Sequence, residues 1–210
     1  MMRTRIKFCG ITRMQDAHAA AALGVDAIGL VLTRKSPRFV EIAQAREIRR
    51  SLPPFVSAVA LFMDDEPAWI AQAIDAIAPE MLQFHGMESA ADCGRYGRRY
   101  LKAVPMGDGA DVHDVVAAHP AATGFLLDGH AAGEQGGRGK SFDWSRAPLN
   151  LQRPVLLAGG LTCDNVGPAI RAVRPYAVDV SSGIESAPGV KDLDKMRRFV
   201  EEVQRACSKS

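Results

Sequence analysis

Hydrophobic positions fall into short runs along the whole chain, each closed by a turn and followed by a segment of helical spacing. The runs predict strands over Arg5–Cys9, Ala27–Leu32, Phe55–Phe62, Met81–Phe84, Tyr100–Val104, Gly124–Asp128, Val155–Ala158 and Ala177–Val180. The periodicity between them predicts helices over Gln15–Leu23, Ile42–Ser51, Pro67–Ile77, Ser89–Tyr96, Val112–His119, Asn165–Val173 and Leu193–Ala206. Phe142–Leu149 is weaker, with Pro148 and little periodicity, and supports a short helix at most.

The runs are continuous, as in Ala27-Ile28-Gly29-Leu30-Val31-Leu32, which fits parallel strands buried on both faces. Eight such strands at a spacing of roughly 26 residues lie near the lower size limit of a closed barrel. An open doubly wound sheet would carry Gly-x-Gly-x-x-Gly in its first turn. That turn is Cys9-Gly10-Ile11-Thr12-Arg13 instead. No linker or low-complexity break divides the 210 residues, so the expectation is one α/β domain, 1–210, folded as a single (β/α)8 TIM barrel.

Composition narrows the function classes. With 26 basic against 24 acidic residues, the chain lacks the concentrated basic face that nucleic acid or a membrane surface requires. Arg98–Arg99 and Arg197–Arg198 are short and suit solvated faces. Met1–Lys7 is not followed by an apolar signal region, and the stretch from Ala17 to Leu32 is interrupted by His18 and Asp26. Cys9, Cys93, Cys163 and Cys207 show neither C-x-x-C nor zinc spacing, so reduced thiols and a cytoplasmic location are expected. No metal cluster or nucleotide fingerprint is present, so neither a metal nor a cofactor is expected.

A barrel places its active site at the carboxyl ends of its strands. The first strand ends in Cys9, a residue that elsewhere is often a small buried hydrophobe. The sixth ends in Asp128, which before Gly129 also suits a turn. The two lie across the barrel mouth, with the last two strands between them. Those strands run into Ala158-Gly159-Gly160-Leu161 and Asp179-Val180-Ser181-Ser182-Gly183, where glycine amides and serine hydroxyls can hold a phosphate. Gly159, Gly160, Asp179, Ser181, Ser182 and Gly183 are therefore candidate substrate contacts. A phosphate there would hold a sugar between Cys9 and Asp128, the geometry of proton transfer. Arg38, after Ser36-Pro37, offers a forked grip on a carboxylate, although a lone loop arginine is usually just solvated. His85 closes the fourth strand, where substrate contact competes with a structural hydrogen bond. Gly133–Ser141 resembles a P-loop, but Glu134 stands where the first glycine belongs. A mobile glycine-rich loop capable of covering the site is the better reading.

These residues resemble the phosphoribosylanthranilate isomerase family. Lys7-Phe8-Cys9-Gly10-Ile11-Thr12 is similar to its opening K-x-C-G-I-T, and Ser36-Pro37-Arg38, Gln83-Phe84-His85-Gly86 and Leu127-Asp128 follow in the family's order. So do Gly136–Trp144, Leu157–Leu161, Asn165-Val166, Val178–Glu185 and Gly189–Asp192. Departures include Gly129-His130 after the acid, Arg138 within the glycine stretch, and Asp64-Asp65 after the third strand. The resemblance implies an Amadori rearrangement of an aldosylamine to an aminoketose, with Asp128 as general acid and Cys9 as general base. It further implies that Arg38 binds the anthranilate carboxylate and that Gly160, Ser182 and Gly183 cradle the phosphate. Such a mechanism needs a neutral carboxylic acid facing a thiolate. The implied partner is a small-molecule substrate, and a monomer is expected over a dimer. The runners-up are a histidine-pathway type of barrel isomerase, expected to use two aspartates, and a non-catalytic phosphate-ligand barrel.

Overall fold

The computed structural model describes residues 3–108, 111–130, 141–148 and 150–208. Eight parallel strands close into a barrel in sequence order. They are β1 (Arg5–Cys9), β2 (Ala27–Val31), β3 (Ser57–Phe62), β4 (Met81–Phe84), β5 (Tyr100–Pro105), β6 (Gly124–Asp128), β7 (Val155–Leu157) and β8 (Ala177–Val180). The helices are α1 (Met14–Ala22), α2 (Ile42–Arg50), α3 (Pro67–Ile77), α4 (Ala90–Gly94), α5 (Val112–Ala118), α6 (Val166–Val173) and α7 (Leu193–Ser208). Closure comes from β1 pairing with β8, Arg5 opposite Ala177 and Lys7 opposite Asp179.

The continuous runs are explained by two separate cores. Alternate residues of a strand point to opposite faces. Phe8 packs edge-on against Phe199 of α7, ring centroids 6.1 Å apart, so Ile6 and Phe8 face the helices. Lys7 and Cys9 therefore face the barrel interior. The outer core joins Phe8, Ile28, Leu30, Phe84, Phe125 and Val178 to the helices. Inside the barrel, Leu101, Ala103, Leu126, Leu156, Ala158 and Ala177 form a second cluster, with Cys9, Val31 and Leu61 above it.

The helices bury one stripe each. α7 buries Met196, Phe199, Val200, Val203 and Ala206, the spacing of a single apolar face. Each large side chain so buried contributes about 1.5–3 kcal/mol. Pro67 opens α3, where its missing N–H costs nothing, and Ile70, Ala73, Ile74 and Ile77 dock inward.

Between β6 and β7 the described residues hold a 3-10 turn, Trp144–Arg146, in keeping with a segment whose Pro148 and sparse apolar spacing support a short helix at most. Two elements differ from the sequence expectation. α4 is five residues rather than eight, capped by the Ser89 hydroxyl accepting from the Asp92 amide at 3.1 Å. After β8, a 3-10 turn (Ser182–Ile184) leads into a hairpin of β9 (Glu185–Ala187) and β10 (Val190–Lys191) that no periodicity announced. No described helix is long and apolar enough to cross a membrane.

Candidate active site

Cys9 and Asp128 are the last residues of β1 and β6, and both are buried. Cys9 shares a strand face with Lys7, and Asp128 shares one with Leu126, so the two-residue repeat aims both into the carboxyl-end mouth. There they line one cavity of about 690 Å³, open mouth included. Arg38, His85, Gly159, Gly160, Asp179, Ser181 and Ser182 line it as well. Val31, Leu61 and Met63 give it an apolar side. Of the residues expected from sequence, only Gly183 stands behind the wall. A Cβ there would come 1.9 Å from the Leu161 carbonyl oxygen, so glycine is what lets the β8 loop close on the β7 loop. The glycine-rich segment expected to cover the site lies, from 131 to 140, outside the described residues.

Lys7 lies under Cys9 and donates to Asp179 Oδ1 at 2.8 Å. Both crowd over Gly29, the β2 partner of Cys9: a Cβ on Gly29 would stand 2.7 Å from Cys9 Sγ and 3.2 Å from Lys7 Nζ. Only a bare backbone leaves room for thiol and ammonium together. Burial pushes the Cys9 thiol above its ordinary range, and the positive charges of Lys7 and Lys191 only partly offset this. Lys7 itself is raised: burial disfavours its charge, but Asp179 and Cys9 outweigh it. Lys191 donates to the Cys9 carbonyl at 2.6 Å, the Ser181 carbonyl at 3.1 Å and Glu185 Oε1 at 2.8 Å. It ties the end of β1 to the β8 loop.

Arg38 is not free in the loop. Its Nε and Nη2 both donate to Glu185, each at 2.8 Å, in a forked pair buried at the cavity edge. Burial would raise the Glu185 carboxyl, but Arg38 and Lys191 hold it below its ordinary range. Two of its donors thus already serve the chain's own hairpin, an engagement the sequence reading did not foresee.

Asp128 is faced by two imidazoles. His85 Nε2 lies 3.3 Å from Oδ2, and His130 Nδ1 lies 3.6 Å from Oδ1. Burial alone would raise the Asp128 carboxyl; the facing His130 and His85 groups outweigh it and hold it well below the usual carboxylate range. The resting pattern is therefore a neutral thiol across from a carboxylate, the reverse of what the sequence reading required. His85, Asp128 and His130 also bring three metal-ligand atoms within 4.8 Å of one another. Gln83 Nε2, which can only donate, faces His85 Nδ1 at 3.1 Å. With Gln83 Nε2 as the donor, His85 Nδ1 accepts, and its Nε2 is the edge turned toward Asp128.

Lys7, Gly29, His130, Glu185 and Lys191 were not singled out as site residues from sequence. Lys7, Glu185 and Lys191 stood inside quoted motifs, and His130 stood out as a departure after the acid, so a signal existed for those four. Gly29 acts through a pairing between distant segments that no local pattern shows.

A barrel with its polar groups at the carboxyl rim and glycine turns after its last two strands has the architecture of the barrel enzymes, in which that place frequently holds a phosphate. The comparisons with known proteins make this specific. The family profile described as N-(5'phosphoribosyl)anthranilate (PRA) isomerase matches residues 6–202. The N-(5'-phosphoribosyl)anthranilate isomerase of Halorhodospira halophila is 52% identical over 204 residues, covering 97% of this chain and 98% of that protein. The protein of the same name from Pseudomonas aeruginosa is also 52% identical, covering 97% of each. Among solved structures, phosphoribosyl anthranilate isomerase from Thermotoga maritima superposes with a TM-score of 0.85 at 36% identity, over 96% of this chain and 99% of that one. A phosphoribosyl anthranilate isomerase in complex with reduced 1-(o-carboxyphenylamino)-1-deoxyribulose 5-phosphate superposes with a TM-score of 0.82 at 34% identity, over 96% of this chain and 99% of that one. The chain belongs to the N-(5'-phosphoribosyl)anthranilate isomerase family.

Proposed function

We propose that the chain catalyses the Amadori rearrangement of N-(5-phospho-β-D-ribosyl)anthranilate to 1-(2-carboxyphenylamino)-1-deoxy-D-ribulose 5-phosphate, an isomerisation of L-tryptophan biosynthesis, with Asp128 as general acid and Cys9 as general base. The observation that carries this reading is that Cys9 and Asp128 line one cavity whose wall also includes Gly159, Gly160, Ser181 and Ser182. The glycine and serine amides suit a phosphate, and Ser181 Oγ is buried without a hydrogen-bond partner, a hydroxyl available to donate. Val31, Leu61 and Met63 offer the aromatic ring an apolar surface. Arg38 Nη1 is the edge left to meet the anthranilate carboxylate, and Asp179 serves the substrate indirectly by holding Lys7 beneath Cys9.

Asp128 protonates the furanose ring oxygen, the C1′–O bond breaks, and the amine nitrogen's electron pair forms the iminium. The iminium acidifies the C2′ proton, which Cys9 removes to give the enolamine. Tautomerisation then adds a proton at C1′ and releases one from the C2′ hydroxyl, so the proton count closes. Thiol with carboxylate and thiolate with carboxylic acid carry the same total charge. The reactive form is the minor member of that coupled pair, and reaching it is part of the barrier. Turnover of phosphoribosylanthranilate, followed by anthranilate fluorescence, tests the reading. Saturable turnover is expected, with poor binding of the dephosphorylated substrate. No turnover by folded protein would reject the activity, and equal affinity without the phosphate would reject the phosphate placement.

A further inference from the structure

Resting on the reading of Cys9 as base, we propose that Lys7 is the positioning residue of that base: its buried ammonium, anchored by Asp179, is the counter-charge against which the Cys9 thiolate forms. The placement starts with the strand. Residues two apart on β1 share a face, so Lys7 lies below Cys9 inside the barrel. The β1–β8 register sets Lys7 opposite Asp179, and the β1–β2 register sets Cys9 opposite Gly29. Lys7 gives one of its three N–H groups to Asp179 Oδ1 at 2.8 Å, and its Nζ also stands within donating reach of the Cys9 sulfur. Only 4% of the Lys7 side chain and 7% of that of Asp179 is exposed, so little solvent screens the ammonium from the sulfur. The bare Gly29 backbone beside them is what lets the two groups stay together, since a Cβ there would meet both.

Among the described residues, the charged groups facing Cys9 are Lys7 from its own strand, Asp179 from β8, Lys191 from β10 and Arg38 from the loop after β2. The three cations are not equivalent. Lys191 gives its three N–H groups to the Cys9 carbonyl, the Ser181 carbonyl and Glu185, and Arg38 is forked onto the same Glu185. Lys7 is the cation that reaches the sulfur itself. Burial disfavours its charge, but Asp179 and Cys9 outweigh it, so Lys7 remains an ammonium around neutral pH. To reach the reactive pair, the S–H bond breaks and its electron pair stays on the sulfur above Lys7. The proton leaves to solvent at the open mouth, and Asp128 takes one from the same solvent. Lys7 keeps its three protons throughout. When Asp128 protonates the ring oxygen and Cys9 takes the C2′ proton, the thiol and the carboxylate are restored for the next turnover.

The test is the pH profile of Lys7→Met, which keeps the length of the side chain and removes its charge. While the thiol is protonated and Asp128 ionised, the share of the reactive pair depends on how far apart the two groups titrate. Once the thiol has ionised, that share depends on Asp128 alone. Losing a close opposite charge makes the thiolate harder to form, so kcat should fall roughly tenfold or more on the neutral plateau, with KM little changed. The alkaline limb should move up by about one pH unit or more, and the two profiles should converge at high pH. Alkylation of residue 9 by iodoacetamide, read by mass, should move up in pH with the limb. Lys7→Met/Asp179→Asn, which strands no carboxylate, should shift the limb the same way by less, because Lys7 outweighs Asp179 at the sulfur. It carries the test if Lys7→Met fails to fold. An unmoved limb, an unmoved alkylation profile or a loss uniform across pH, as a purely structural role would give, would overturn the proposal. An inactive Cys9→Ala beside an unaltered Lys7→Met would remove this inference alone. A fully active Cys9→Ala would remove the base assignment itself.

Discussion

Cys9 lies between opposing influences: burial disfavours its thiolate, while Lys7 and Lys191 favour it. Burial wins in the free protein, which makes the thiol's reactivity a pH-dependent quantity. Inactivation by iodoacetamide should be slow at neutral pH and accelerate as pH rises past the ordinary thiol range, since the thiolate is the reacting form. Cys9→Ser should abolish alkylation of the peptide that carries residue 9, read by mass, and a flat rate of wild-type inactivation across this range would contradict the burial argument. Gly29→Ala should displace the thiol, its Cβ standing 2.7 Å from Sγ, and lower kcat with little change in the melting temperature. Unchanged kcat would show that the thiol's position is not critical. At this scale the place of Cys9 and Asp128 at the barrel mouth was legible, because the carboxyl ends of a barrel's strands converge there. It did not disclose that Arg38 is shared with Glu185 or that Lys7 is paired with Asp179, since such pairs depend on segments 147 and 172 residues apart.

The elements that matter most to the site are the β7 and β8 loops and the hairpin beyond them. Gly183→Ala would drive a Cβ to 1.9 Å from the Leu161 carbonyl oxygen and force the loops apart. The expected cost is about 1–3 kcal/mol of stability, the scale of overpacking, with KM raised more than kcat is lowered. Steady-state kinetics and urea unfolding check both, and an unaltered KM would place the phosphate elsewhere. Strands were legible to within one or two residues because burial on both faces leaves an unbroken apolar run. The β9–β10 hairpin was not, since its two and three residues are held by Lys191 and Glu185 rather than by an apolar pattern. Ser89–Tyr96 was overread because apolar spacing extends past the five residues that α4 retains.

Across the whole molecule, barrel closure was legible from the count of βα units, whereas a preference for monomer over dimer rests on no residue pattern. The mouth is bound together by charge: Glu185 joins Arg38 and Lys191, and Asp128 sits among imidazoles. Both carboxyls are held below their unfolded values, so the stability they confer is present above the ordinary carboxylate range and is lost as pH falls through their folded values. Glu185→Gln should remove part of that dependence in acid titrations of unfolding. Because the mouth is open to solvent, it should cost toward the lower end of the about 3–5 kcal/mol typical when one partner of a buried pair is removed. An unchanged acid-unfolding curve would show that the pair contributes little. The central claim, that a proton moves from Asp128 while Cys9 removes another, is tested most directly by the turnover of Asp128→Asn. Asparagine keeps the size and the turn-forming hydrogen bonds but has no proton to deliver. The account predicts a fall in kcat of roughly 10²–10⁴-fold with the melting temperature little changed. A folded Asp128→Asn enzyme of full activity would contradict it.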